Sequence, residues 1–284
     1  MSQIYEQHYR RLDASVPLRT RRYVPIAREG LKALFGFKAY LGLIALSWLP
    51  MLFRLVQVYF TTRVPDVRRI APIDDKFFFE SVMMQVPWML IMAAYAGAGL
   101  VANDMRTGGL LLYLSRPLTL LDYIFGKVAI LFVSLSMVSL LPSVVLFFGA
   151  RSLAPEILGG IEHLLILPKI VAFSLVFIVP MIGLMLMMSA VAKNPRFAGL
   201  GFFFVFVGST IAQGIAWQAT RSPWAGLISL QSNMQRVGHE LFGVRSTRML
   251  AGLPAEMSVL VLTLVVAGCF LVLKSRIRAV EVVR

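Results

Sequence analysis

Asn103 to Lys127 reads NDMRTGGLLLYLSRPLTLLDYIFGK, a polar-to-amphipathic island between two long apolar runs. It carries charges, the Gly108–Gly109 pair and Pro117, and nothing that resembles a nucleotide or metal site. The run before it contains Ala93, Ala94, Ala96, Gly97, Ala98 and Gly99, a patch that lets another helix approach closely or faces a substrate path. The run after it continues from Leu121 to Gly149. Runs of about 20 apolar residues recur along the chain, and each can cross a bilayer as a helix. The island is therefore a connection between two spans, and the fold class is an all-α membrane protein.

Composition agrees. Of the 284 residues 58% are hydrophobic and only 15% charged, with a mean hydropathy of +0.77. A soluble domain carries about 25% charge. Six spans are expected near 39–60, 80–102, 121–149, 165–191, 197–218 and 255–274, with Pro50, Pro87, Pro142 and Pro180 bending the first four. The domain reading is a basic tail over 1–23, an amphipathic helix over 24–38 and a transmembrane domain over 39–284. That domain contains a coupling element at 103–120 and an outer loop at 219–254. In the amphipathic helix Ile26, Ala27, Leu31, Leu34 and Phe35 recur at helical spacing while Arg28, Glu29, Lys32 and Lys38 lie largely off that stripe. It lies in the headgroup layer or forms the start of the first span.

The net charge of +14 would suggest nucleic acid in a soluble chain; in a membrane protein it reflects Lys and Arg gathered on one side, and no nucleic-acid partner is expected. With both termini cytoplasmic, seventeen Lys and Arg lie in the inner segments and nine in the outer ones, as the positive-inside rule requires. No cleavable signal peptide is expected, because the first 38 residues are too charged and too long before the apolar onset. Within 219–254, Leu227, Met234, Val237 and Leu241 share a face, so a helix lying along the outer interface is expected. Asp74–Asp75 reads as part of a solvated loop.

Several chemistries are excluded. His8, His163 and His239 form no metal-ligand spacing. Ser134, Ser136, Ser139 and Ser143 line the third span without a base to activate them, and read as interhelical hydrogen-bonding groups. Gly126–Lys127 lacks the glycine and the Ser/Thr of a phosphate-binding loop. The chain is thus not an ATPase and is expected to bind no cofactor itself. Cys269, the sole cysteine, lies in an apolar run. Proton- or sodium-driven carriers use buried carboxylates at midplane, and the spans contain none. Arg54 is the one charge well inside a span; it snorkels outward or meets substrate or a lipid headgroup. Gln85 and Gln213 are further candidates for substrate contact.

The island resembles the signature region of type-2 ABC transporter permeases, the membrane subunits of many bacterial exporters. The matching residues are Gly97 and Gly99, Asp104, Gly108–Gly109, Leu110 to Leu112, Pro117, Tyr123 and Gly126–Lys127. Arg21 to Phe37 is similar to the family's connecting helix, Ser189 to Arg196 to its second cytoplasmic turn, and Arg276 to Val283 to its basic C-terminal end. Asp104 stands where glutamate is commoner, and Thr119–Leu120 where Ser-Arg often follows the proline. The resemblance implies a type V (ABCG-like) exporter fold in the bacterial inner membrane. It also implies pairing with a second permease copy or paralogue and with two copies of an ATP-binding subunit that carry ATP and magnesium. Asp104, Arg106, Gly108, Gly109, Leu111, Leu112, Arg116 and Pro117 would form the coupling element seated on that subunit, with Tyr123 to Lys127 merely starting the third span. The cargo, lipidic or amphipathic among other choices, stays open. So do two other classes, a non-transporting membrane scaffold and a secondary carrier or channel.

Overall fold

The structure is a computed structural model that describes residues 23–64, 70–109, 119–192 and 194–282. The expected basic tail lies outside the described residues except for Tyr23. Among the described residues six helical segments are long and apolar enough to cross a membrane: Lys38–Arg63, Asp75–Arg106, Leu120–Leu153, Glu162–Val191, Pro195–Thr220 and Ala255–Ile277. The described elements are helical throughout.

Helix α1 (Tyr23–Phe35) precedes the first span. The span itself is α2 (Lys38–Ser47) and α3 (Leu49–Arg63), parted at Trp48, whose indole N–H donates to the Met137 carbonyl at 3.2 Å. The second span is α4 (Asp75–Met83) followed by α5 (Val86–Arg106). The third is α6 (Leu120–Leu135), a single π turn over Ser136–Leu140, and α7 (Leu141–Leu153). In all three, proline stands in the first turn of the restarted helix: Pro50, Pro87 and Pro142. A proline has no N–H to give the carbonyl four residues back, so the chain breaks or widens just ahead of it. At Pro142 the ladder widens, and the Leu141 N–H reaches Ser136 five residues back. Pro180 alone stays inside an unbroken helix, α9 (Ile166–Val191).

The second span starts earlier than hydropathy indicates, at Asp75 instead of Glu80. Asp74 caps α4 by accepting the Phe77 N–H at 2.9 Å, and Asp75 pairs with Lys169 at 2.9 Å. The acidic pair is thus a helix start rather than part of a free loop. A short helix, α8 (Pro155–Leu158), and a 3₁₀ turn over Glu162–Leu165 lead into α9. Asn194 caps α10 (Pro195–Thr220), while Lys193 of the tight turn expected there lies outside the described residues.

Helix α9 is the centre of the bundle. Its span is 61% buried, against 22% for the first, fifth and sixth spans. Phe173 stacks on Phe79 at 5.2 Å and meets Phe177 and Phe242 edge-on. Ser189 donates to the Ala98 carbonyl at 2.8 Å and accepts from the Val101 and Ala102 amides. The small residues of the second span are what admit this contact: a Cβ at Gly97 would collide with Met185.

Helix α11 (Leu230–Phe242) departs most from expectation. It does not lie along the surface. Leu230, Asn233, Met234, Val237, Gly238 and Phe242 are buried, and the helix packs against α9, α10, α4 and the sixth span, α12 (Ala255–Val282). The apolar face that suggested an interfacial helix is covered by protein, although Asn233 Oδ1 and His239 Nδ1 are buried without a hydrogen-bond partner among the described residues. Asn233 donates to the carbonyls of Leu227 at 3.0 Å and Ser229 at 2.7 Å. At Gly238 any Cβ would overlap the Phe173 ring.

Candidate docking site

Alternation of six spans puts the end of α5, the start of α6, the start of α10 and the end of α12 at one end of the bundle, and α1 packs on α6 there. Two capping motifs delimit the 103–120 connection. Helix α5 ends where Thr107 returns both its amide and its hydroxyl to the Asn103 carbonyl at 2.9 Å. Gly108 follows at φ +71°, a left-handed conformation natural to glycine just past a helix end. Helix α6 begins with a capping box: Thr119 Oγ1 accepts the Asp122 amide at 3.2 Å, and the Asp122 carboxylate accepts the Thr119 amide at 3.1 Å.

Between those caps the two spans are clamped. Asp104, on the last turn of α5, receives the Lys127 ammonium at 2.7 Å and the Tyr123 hydroxyl at 2.8 Å, both on Oδ2. Tyr123 and Lys127 are one helical turn apart on α6, and the ammonium lies 5.3 Å from the tyrosine ring centroid. Tyr123 is fully buried, and the Lys127 and Asp104 side chains are 8% and 20% exposed. In a pair this shielded, removing one partner is costly, because the other is left as an uncompensated charge away from water. On its other side α6 carries α1. A Cβ at Gly126 would stand 2.8 Å from Ile26 Cγ2, and one at Gly30 would overlap Ile130. Two glycines, one on each helix, thus seat α1 against the first three turns of α6.

The expected site residues fall into three groups. Asp104 is committed to Lys127 and Tyr123, so it is a strut between spans rather than an open charge. Arg106 is exposed, and Gly108 and Gly109 are half-buried. Leu111, Leu112, Arg116 and Pro117 lie outside the described residues. Tyr123 and Lys127, read from sequence only as the start of a span, belong to the site. The signal that could have found them is a Tyr and a Lys four residues apart, facing an acidic end of the preceding span.

Among the described residues the candidate substrate contacts Arg54, Gln85 and Gln213 are held in different places. Arg54 is held by Glu80 at 3.2 Å and by Gln57 at 3.1 Å, with its guanidinium 5.0 Å from the Phe77 ring centroid. It ties the first span to α4. Gln213 accepts from the Ser232 hydroxyl and ties α10 to α11. Gln85 sits in the break between α4 and α5, fully buried, with no hydrogen-bond partner for either amide atom among the described residues.

Six spans around a central fourth, with a clamped connection between the second and third, define a polytopic helical membrane component. The model of the ABC-2 family transporter proteins matches residues 68–272. That is well over half of the chain, and the chain belongs to this family: it is a transporter permease of type-2 ABC architecture. No curated protein matches it.

Proposed function

We propose that the chain is the membrane subunit of an ATP-driven exporter. It works with a second permease and two ATP-binding subunits that hold ATP and magnesium, and its N- and C-termini are cytoplasmic. The observation that carries this reading is the Asp104–Lys127–Tyr123 clamp at the base of the 103–120 connection. A mobile ATPase moves a permease only if the segment it pushes is rigidly joined to the spans. The clamp makes the end of the second span and the start of the third move as one body, and α1 rides on the same helix. Arg106, exposed beside the clamp, and the leucines after Gly109 then meet the ATPase. The excess of Lys and Arg at this end of the bundle supports a cytoplasmic placement, and the scarcity of free charge inside the spans supports an outside source of energy. The cargo on this reading is lipidic or amphipathic.

The test is co-expression with the ATP-binding subunit and reconstitution of the complex. The wild type stimulates ATP hydrolysis. Arg106→Glu, which breaks no hydrogen bond or ion pair among the described residues, weakens that stimulation about tenfold, the equivalent of ~1.4 kcal/mol at a docking contact. Unchanged co-purification and unchanged ATPase stimulation in Arg106→Glu would remove the docking role from this segment.

A further inference from the structure

Away from the clamp, the third, fourth and sixth spans leave a crevice of about 170 Å³. Its walls are Ile124, Val128 and Phe132 of α6, Val179 to Leu186 of α9, and Val266, Cys269, Phe270 and Leu273 of α12. No polar atom lines it, so water gains nothing by entering. It stands among membrane-spanning helices and is half open to their surroundings. From Ile124 to Phe132 it runs for about 12 Å along the helix axis, most of the ~15 Å hydrocarbon depth of one leaflet.

The charge at one end distinguishes this crevice from an ordinary greasy surface. Its floor ends at Leu273, and Lys274 and Arg276 follow immediately on the same helix, half-exposed and exposed respectively. Neither has an ion-pair partner among the described residues. Asp122, the acidic residue near Ile124, is occupied in capping α6 through Thr119. An apolar slot one leaflet deep, with two cations at its interfacial end that pair with no carboxylate among the described residues, matches one amphiphile.

We propose that the crevice binds a single anionic phospholipid, one acyl chain lying against Val128, Gly183 and Cys269, its phosphate met by Lys274 and Arg276. A second copy of this chain fits less well. A two-fold contact across this face would set the same two cations against themselves, and a helix about 10 Å across does not enter a space of this size. The inference does not depend on export: the site exists whether or not the chain moves cargo.

The test is native mass spectrometry of the full chain released from micelles containing equal amounts of dioleoyl-phosphatidylglycerol and dioleoyl-phosphatidylethanolamine. One phosphatidylglycerol per chain is expected to survive in preference to phosphatidylethanolamine. Gly183→Phe fills the slot and should cut retention at least tenfold. Val179→Phe, on the exposed wall, should do the same and guards against misfolding of the first variant. Lys274→Ala with Arg276→Ala should keep a lipid but lose the preference for the anionic headgroup. Undiminished retention in both filling variants, or an unchanged headgroup preference in the double alanine, overturns the proposal. So does efficient Cys269–Cys269 cross-linking of two chains by mild oxidation in vesicles, which would make the crevice a contact between copies.

Discussion

Lys127→Met is the most informative perturbation of the clamp. It removes the ammonium 2.7 Å from Asp104 and leaves the carboxylate, 20% exposed, with only the Tyr123 hydroxyl among the described residues. Removing one partner of a fully buried pair costs about 3–5 kcal/mol. Partial access to water and the surviving hydrogen bond, itself worth about 1–2 kcal/mol, lower the expected loss to about 2–3 kcal/mol. Asp104→Asn should cost less, because the neutral amide still accepts from Tyr123 and Lys127 can turn its flexible stem toward water. The double variant, Asp104→Asn with Lys127→Met, should recover part of the loss, since no unpaired charge remains. The assay is a double-mutant cycle on the purified chain in detergent, read as the midpoint and slope of denaturant-induced loss of helicity. A coupling energy of about 1 kcal/mol or more is expected. Strict additivity within ~0.3 kcal/mol would mean that the two side chains do not sense each other, and the rigid-base argument would fall with it.

Two further outcomes test the opposite end of the bundle. Gly238→Val drives a branched side chain into the Phe173 ring and should destabilise the chain by about 2–3 kcal/mol or more, whereas Gly243→Ala, strained only by its φ of +66°, should cost about 1 kcal/mol; thermal melts of the two variants decide between them. His239 lies in α11, its ring tilted against Phe79 with centroids 4.6 Å apart, and burial together with the nearby Arg236 charge holds its pKa below the usual value of 6.5. The unfolded chain therefore binds this proton more readily than the folded one, so stability falls as pH drops below about 6.5 and continues falling until the folded-state pKa is reached, at a slope of at most ~1.4 kcal/mol per pH unit. His239→Gln should flatten the thermal-stability profile below about pH 6.5, and an unchanged profile would rule out His239 as its source.

Much of the fold was legible in the chain because bilayer thickness constrains helix length directly. Apolar runs located all six spans to within a few residues at most ends. Pro50, Pro87 and Pro142 marked where helices restart, since a missing N–H is a local fact. The start of α4 was less legible, because Asp74 and Asp75 look like solvent-facing residues until one is seen as a cap and the other as a partner of Lys169.

The clamp and the placement of α11 were decided only by tertiary structure. Residue type and spacing state that Asp104, Tyr123 and Lys127 lie near span ends. They do not state that a Gly126–Ile26 contact turns α6 so that its other face meets α5. For α11, an apolar stripe on a polar helix fits a lipid surface and a protein groove equally well, because periodicity records that a face is buried and not what buries it. Phe173 and Gly238 settle the matter by shape, with a ring filling the space where a side chain would otherwise be. Hydropathy along one chain determines how many times it crosses; complementarity between distant side chains determines which crossings move together.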